Sequence, residues 1–125
     1  MKAALCRTYG PPSVVSLGEA PMPTPRDREV LVRIRATTVS SADWRARSLT
    51  MPPGFGALAR PAFGLFAPRN PILGTEMAGE VVATGQAVKR FKAGEPVFAF
   101  TGARFGCHAE FRVLGEHDLI SHKPA

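Results

Sequence analysis

The residue types that most often carry chemistry are scarce in this chain of 125 residues. Sulfur and imidazole come from Cys6, Cys107, His108, His117 and His122. A structural zinc site needs four Cys or His ligands, and a catalytic one three. His117 and His122 are spaced as in the second half of a zinc finger, but no Cys pair precedes them. Cys107 and His108 are neighbours on an expected strand, so their side chains point to opposite faces. The sequence therefore offers no native metal site. It offers no clear nucleophile either. Adjacency does not make Cys107 and His108 a dyad, a lone Cys is most often an inert buried residue, and no Gly-x-Ser-x-Gly elbow occurs. Gly74-Thr75-Glu76-Met77-Ala78-Gly79 lacks the Gly-x-Gly-x-x-Gly spacing and runs into a strand at Val81 and Val82 rather than opening a helix. No βαβ pattern follows, so the chain alone contains no Rossmann fold.

The elements that must position any site are mostly strands. Residues 2–8 read as a first strand and 14–17 as a second, with a proline-rich extended connection over 20–27. Residues 29–39 alternate, with Val30, Val32, Ile34 and Ala36 on one face, the pattern of a half-buried strand. Ser40, followed three residues later by Asp43, resembles a capping box with Asp in place of Glu, and predicts a short helix to Ser48. Residues 50–71 form a long loop with five prolines and with Phe55, Phe63 and Phe66; loops of this kind close one end of a core or serve function. Strands are expected over 77–84, 95–100 and 107–114, with a short terminal piece at 119–124. Phe98 and Phe100 share a face, which we assign to the core. Six or seven short strands with regular turns give a mainly β fold, a small antiparallel sandwich or barrel.

Composition agrees. Gly and Pro number 12 each, about 19% of the chain and below the roughly 25% that marks disorder. No apolar run approaches the ~18 residues of a membrane span, and the apolar stretch near Met1 is too short for a signal peptide. Two cysteines make no disulfide framework and fit a reducing, cytoplasmic compartment. The net charge is +6. Its excess lies between Arg45 and Thr75, where four arginines meet no acid, and a local excess suits an anionic partner. One reading is a stand-alone basic β-barrel that binds nucleic acid or a protein, with Phe98, Phe100, Phe105 and Phe111 as a stacking platform. Against nucleic acid, the basic residues do not interleave with these aromatics.

Taken in order, the segments resemble the medium-chain dehydrogenase/reductases. Met1-Lys2-Ala3-Ala4-Leu5, Gly10-Pro11 and Glu29-Val30-Leu31-Val32-Arg33-Ile34 look like that family's opening. Pro71-Ile72-Leu73-Gly74-Thr75-Glu76 through Gly85 is similar to its most specific stretch. Phe91-Lys92-Ala93-Gly94-Glu95-Pro96-Val97, Gly106-Cys107-His108-Ala109-Glu110-Phe111 and Lys123-Pro124 resemble later motifs. The resemblance implies a GroES-like antiparallel β-barrel over residues 1–125, with short helices and the long Pro-rich loop. It implies a separate Rossmann cofactor domain that this chain lacks, so that the chain alone would be an inactive fragment. It also implies hydride transfer between NADPH (or NADH) and a quinone, enone, aldehyde or similar carbonyl compound.

Zinc-dependent members carry Cys at the position of Ser40 and His at that of Thr75. Hydroxyls are poor substitutes as zinc ligands. The lobe of four cysteines that binds structural zinc is also missing between Val97 and Glu110. The sequence thus resembles the zinc-independent, quinone-oxidoreductase-like branch. The resemblance assigns Ser40, Asp43 and Thr75 as catalytic and Ser40, Ser41 and Asp43 to the nicotinamide side of the cleft. Glu76 lies nearby, and the 50–71 loop would cover the substrate. The arginine excess then borders an anionic dinucleotide rather than nucleic acid, and an exposed cleft face would invite homo-oligomer formation.

Overall fold

A computed structural model describes residues 1–50, 54, 64 and 68–124. Seven strands and one helix follow in order: β1 (Lys2–Cys6), β2 (Val15–Glu19), β3 (Glu29–Thr37), α1 (Ser41–Ser48), β4 (Glu76–Thr84), β5 (Pro96–Phe100), β6 (Phe111–Gly115) and β7 (Ile120–His122). β1 and β2 form an antiparallel hairpin. The other five make an antiparallel sheet in the order β6-β3-β4-β5-β7. Isolated bridges Ala3↔Ala109 and Leu5↔Ile72 join β1 to the segments around the larger sheet. The fold is therefore mainly β and antiparallel, as the sequence indicates. Among the described residues the pairing makes two sheets joined by bridges rather than one continuous ring.

The alternation in β3 places Val30 and Val32 in the interior, where they meet Met77 and Val81 of β4, Val97 and Ala99 of β5, and Leu114 of β6. A smaller cluster of Cys6, Ala46, Leu73 and Phe105 lies beneath α1 and ties the helix to β1. Burying side chains of this size stabilises by about 1.5–3 kcal/mol each. These two clusters fix α1 against the turn that precedes β4.

Two expectations are corrected. Phe98 and Phe100 do not enter the core: they are 46% and 48% exposed, and Val97 and Ala99 fill the interior instead. Period-2 alternation defines two faces but not which is inward, and here Val97 and Ala99 join Met77 and Val81 in the core. The last long strand begins at Phe111 rather than 107. Residues 106–108 instead send their N–H groups to Ile72, Gly74 and Leu73. Most of the 50–71 loop, with Phe55, Phe63, Phe66 and Arg60, lies outside the described residues, and with it the reading of a substrate cover. Tyr9 reaches the one buried point described there, donating its hydroxyl to Gly64 O at 2.7 Å.

Glu116 secures the opposite end. It is buried, and its carboxylate accepts the N–H groups of Lys89 at 2.9 Å and Arg90 at 3.1 Å. These bonds, led by that from Lys89, hold the carboxyl below the usual carboxylate range. A group with a depressed folded pKa contributes stability above its unfolded value and loses it as pH falls through the folded one. The melting temperature should therefore drop as pH is lowered from about 5 to about 3. Glu116→Gln should flatten that slope only in part, because the bond and charge of Arg35 also lower Glu80. Thermal scans across this range check it; an unchanged slope in the variant would remove Glu116 from the account.

Candidate functional site

Three of the residues singled out by sequence meet where β3 hands over to α1. Ser40 is the N-cap, with extended backbone at φ −106°, and Asp43 is the third helical residue. A carboxylate at that position can turn back to the cap, and Asp43 does: its Oδ2 accepts the Ser40 N–H at 2.8 Å and the Ser40 hydroxyl at 3.2 Å. Its Oδ1 reaches across and accepts the Gly74 N–H at 2.8 Å. Asp43 is only 3% exposed, so these bonds replace its water. Their joint effect is to clamp the start of α1 to the turn before β4. Thr75, on that turn, is buried, and its Oγ1 lies 3.4 Å from Ser40 Oγ. Ser40, Asp43 and Thr75 thus form one hydrogen-bonded cluster.

Ser41 and Glu76 stand outside it. Ser41 is the first helical residue and is exposed. Glu76 is exposed too; its carboxylate accepts from Thr38 at 3.3 Å and its carbonyl from Thr37 at 2.7 Å, both at the end of β3. Behind Thr75 sits Thr101, buried, whose N–H donates to Thr75 O at 2.7 Å. Thr101 Oγ1 also lies 3.4 Å from Cys107 Sγ. Burial pushes the Cys107 thiol up, and the Cys6 thiol likewise. Neither is poised as a nucleophile, since the thiolate is the reactive form.

His108 is the functional neighbour that sequence reasoning passed over, having been weighed only as a ligand or a nucleophile's partner. Its N–H donates to Leu73 O and its carbonyl accepts from Ala4, both at 2.9 Å. Its Nε2 lies 2.8 Å from Thr38 O; a carbonyl only accepts, so Nε2 carries the hydrogen. The same nitrogen is 3.8 Å from Asp43 Oδ2. One residue therefore ties β1, the 73–75 turn and the approach to Ser40. His108→Ala is expected to cost about 1 kcal/mol, the ring's one hydrogen bond to Thr38 O and its packing. Denaturant unfolding measures it, and a loss under about 0.3 kcal/mol would mean that the ring braces nothing.

Asp43 and His108 also line a cleft of about 750 Å³, with Ala3 and Ala4 of β1, Val15 and Leu17 of β2, Val39 and Trp44. A second groove of about 780 Å³ runs past Thr37, Thr38 and Glu76 to the exposed Phe98, Phe100 and Leu119. Thr37 lines both. Part of the arginine excess is used within the fold: Arg45 lies over the Trp44 ring, and Arg47 donates to Gly10 O. Among the described residues no three His, Cys, Asp or Glu side chains gather as a metal-binding group. No described helix is long and apolar enough to cross a membrane.

Residues 26–124 match the alcohol dehydrogenase GroES-like domain family. The chain is 38% identical over 117 residues to a quinone oxidoreductase of Pseudomonas aeruginosa, covering 93% of this chain and 31% of that protein. It is 35% identical over 107 residues to a chloroplastic quinone-oxidoreductase homolog of Spinacia oleracea, covering 85% and 30%. Among solved structures, the quinone oxidoreductase from Coxiella burnetii superposes with a TM-score of 0.79 at 28% identity, covering 99% of this chain and 37% of that one. The Escherichia coli quinone oxidoreductase complexed with NADPH gives 0.76 at 27% identity, covering 99% and 33%. The chain thus spans about a third of the length of these relatives. By this match and by its mainly β, antiparallel architecture, the chain belongs to the alcohol dehydrogenase GroES-like domain family of the medium-chain dehydrogenase/reductase superfamily.

Proposed function

We propose that this chain is the site-bearing domain of an NAD(P)H-dependent oxidoreductase that reduces a quinone, an enone, an aldehyde or a similar carbonyl compound without catalytic zinc. The observation that carries the proposal is the convergence of Ser40, Asp43 and Thr75 in a chain whose relatives are named quinone oxidoreductases. NADPH is our choice of cofactor, on the relative solved with it. A reduced nicotinamide supplies the hydride when bound.

What the chain supplies is a surface for the nicotinamide half. Ser40 offers a half-buried hydroxyl, Ser41 stands exposed at the head of α1, and Asp43 ties Ser40 to the 73–75 turn. Hydride transfer needs orientation and exclusion of water more than acid–base work. Thr75, buried and backed by Thr101, gives that floor its rigidity. No described loop offers a glycine-rich cradle for a diphosphate, so we assign that half of the cofactor to a Rossmann domain outside residues 1–125. The zinc-free reading rests on the donor set: two hydroxyls stand at Ser40 and Thr75, and the Asp43 oxygens already accept from N–H groups. Both cysteines are free, which suits a reducing compartment, and we place the reaction in the cytoplasm.

The experiment is to supply a dinucleotide-binding domain from a relative, fused after residue 124, and to follow NADPH oxidation with a quinone. Turnover that survives a zinc chelator is expected. Absence of turnover in a folded fusion that binds NADPH would refute the reading.

A further inference from the structure

We propose that the cleft of about 750 Å³ lined by Asp43 and His108 binds a flat apolar ring that carries a hydroxyl, the phenol class, and that Nδ1 of His108 accepts the ligand's O–H. The oxidoreductase reading assigns this nitrogen no role.

Each edge of the His108 ring has its own neighbour. Cδ2 lies against Gly74, where an added Cβ would stand 2.5 Å from it. Nε2 lies 2.8 Å from Thr38 O and 3.8 Å from Asp43 Oδ2. Both of these are acceptors: Thr38 O is a carbonyl, and Oδ2 already takes the Ser40 N–H. The one hydrogen of the neutral ring therefore sits on Nε2, and Nδ1 carries a lone pair. No described residue donates to Nδ1. Among the described residues every buried side-chain nitrogen or oxygen has a partner, so Nδ1 is open rather than sealed. With Cδ2 on Gly74 and Nε2 on Thr38, the Nδ1 edge is the one by which His108 lines the cleft. The other polar side chains of the lining are engaged or stand at the rim. Asp43 accepts at both oxygens, Thr37 gives its hydroxyl hydrogen to Glu76 O, Arg47 donates to Gly10 O, and Lys2 and Glu110 are exposed. Most of the remaining wall is apolar, and it is uncovered: Leu17 is 87% exposed, Val39 84% and Trp44 45%. A ring laid against these side chains removes apolar surface from water, at roughly 25 cal/mol per Å². The cleft volume also falls within the roughly 300–1,000 Å³ of small-molecule sites. A hydroxyl on the ring gives Nδ1 its missing hydrogen. An ether oxygen in the same place would set lone pair against lone pair.

The test titrates the 125-residue chain with phenol and with anisole, the same ring with and without an O–H, at about pH 8.5, where an ordinary imidazole is neutral. Amide shifts in the NMR spectrum give each Kd, and the ring-nitrogen shifts of His108 report on Nδ1. Phenol should bind with about a fivefold lower Kd than anisole, the size of one neutral hydrogen bond. It should also move the Nδ1 resonance upfield, which anisole should leave in place. His108→Phe keeps a ring and removes the acceptor, so the two Kd values should become equal. Equal Kd values in the parent, a phenol preference that survives in His108→Phe, or an Nδ1 resonance that phenol leaves unmoved would each overturn the proposal. The nitrogen shift is read on the parent chain, so a variant that fails to fold leaves the proposal testable. None of these measurements needs the nicotinamide cofactor, so they can fail while the oxidoreductase reading stands, and the converse.

Discussion

Replacing Asp43 with alanine is expected to lower the unfolding free energy by about 3 kcal/mol, roughly 10 °C in melting temperature for a domain of this size. The loss comes from what Asp43 leaves behind. Its carboxylate accepts the N–H groups of Ser40 and Gly74, both at 2.8 Å, in a place where Asp43 itself is 3% exposed. An orphaned buried donor costs about 1–3 kcal/mol, and loss of a helix cap about 1 more. Water entering the gap recovers part of this sum. Asparagine should not restore the parent: it keeps one acceptor oxygen but turns an NH₂ toward a backbone N–H. Urea unfolding measures both variants. A loss below about 1 kcal/mol for Asp43→Ala would mean that the clamp between α1 and the 73–75 turn is not a principal tie of the fold.

Gly74→Ala is expected to be as damaging, through strain rather than a lost bond. Gly74 has φ +95°, a conformation that side chains resist. An added Cβ would stand 2.5 Å from His108 Cδ2, 2.7 Å from His108 N and 3.0 Å from the Cys107 carbonyl carbon. The ring can turn away. The backbone nitrogen cannot, because its N–H is held by Leu73 O. Backbone strain of about 1–3 kcal/mol and overpacking of similar size add to about 4 kcal/mol. Gly94 separates the two causes: its φ is +94°, but nothing lies within 4 Å of an added Cβ. Gly94→Ala should therefore cost the strain alone, about 1–2 kcal/mol. Equal losses at the two positions would show that crowding by His108 contributes nothing.

The contrast between Asp43 and His108 shows what was legible in the sequence and what was not. Ser40 and Asp43 are three residues apart, and helix geometry alone brings such a pair together; the cap and α1 follow from local spacing. The alternation of β3 is equally local, and Val30 and Val32 lie on the expected buried face with Ile34 half-buried, but Ala36 is exposed and Leu31 of the opposite face is buried, where register shifts interrupt the pairing with β4. Thr75 is 35 residues from Ser40, and only the resemblance to a family joined them in advance. His108 lies 70 residues from Thr38, the partner that orients its ring, and no periodicity announces such a contact. The strand expected at 107 fails for the same reason: its first residues find non-local hydrogen-bond partners at 72–74 that outcompete β3. Phe98 and Phe100 show a different limit. Their hydrophobicity suggests the interior, yet they line the outer groove with Leu119, while Val97 and Ala99 take the core face of β5.

The measurement that bears most directly on the account is NADPH-dependent quinone reduction by this chain joined to a dinucleotide-binding domain, with the parent sequence and with Thr75→Val in the presence of a zinc chelator. Turnover in the parent should be unchanged by the chelator, and Thr75→Val should lose at least tenfold in kcat/KM, about 1.4 kcal/mol. Turnover that vanishes with the chelator and returns with added zinc, or that is the same with valine at position 75, would contradict it.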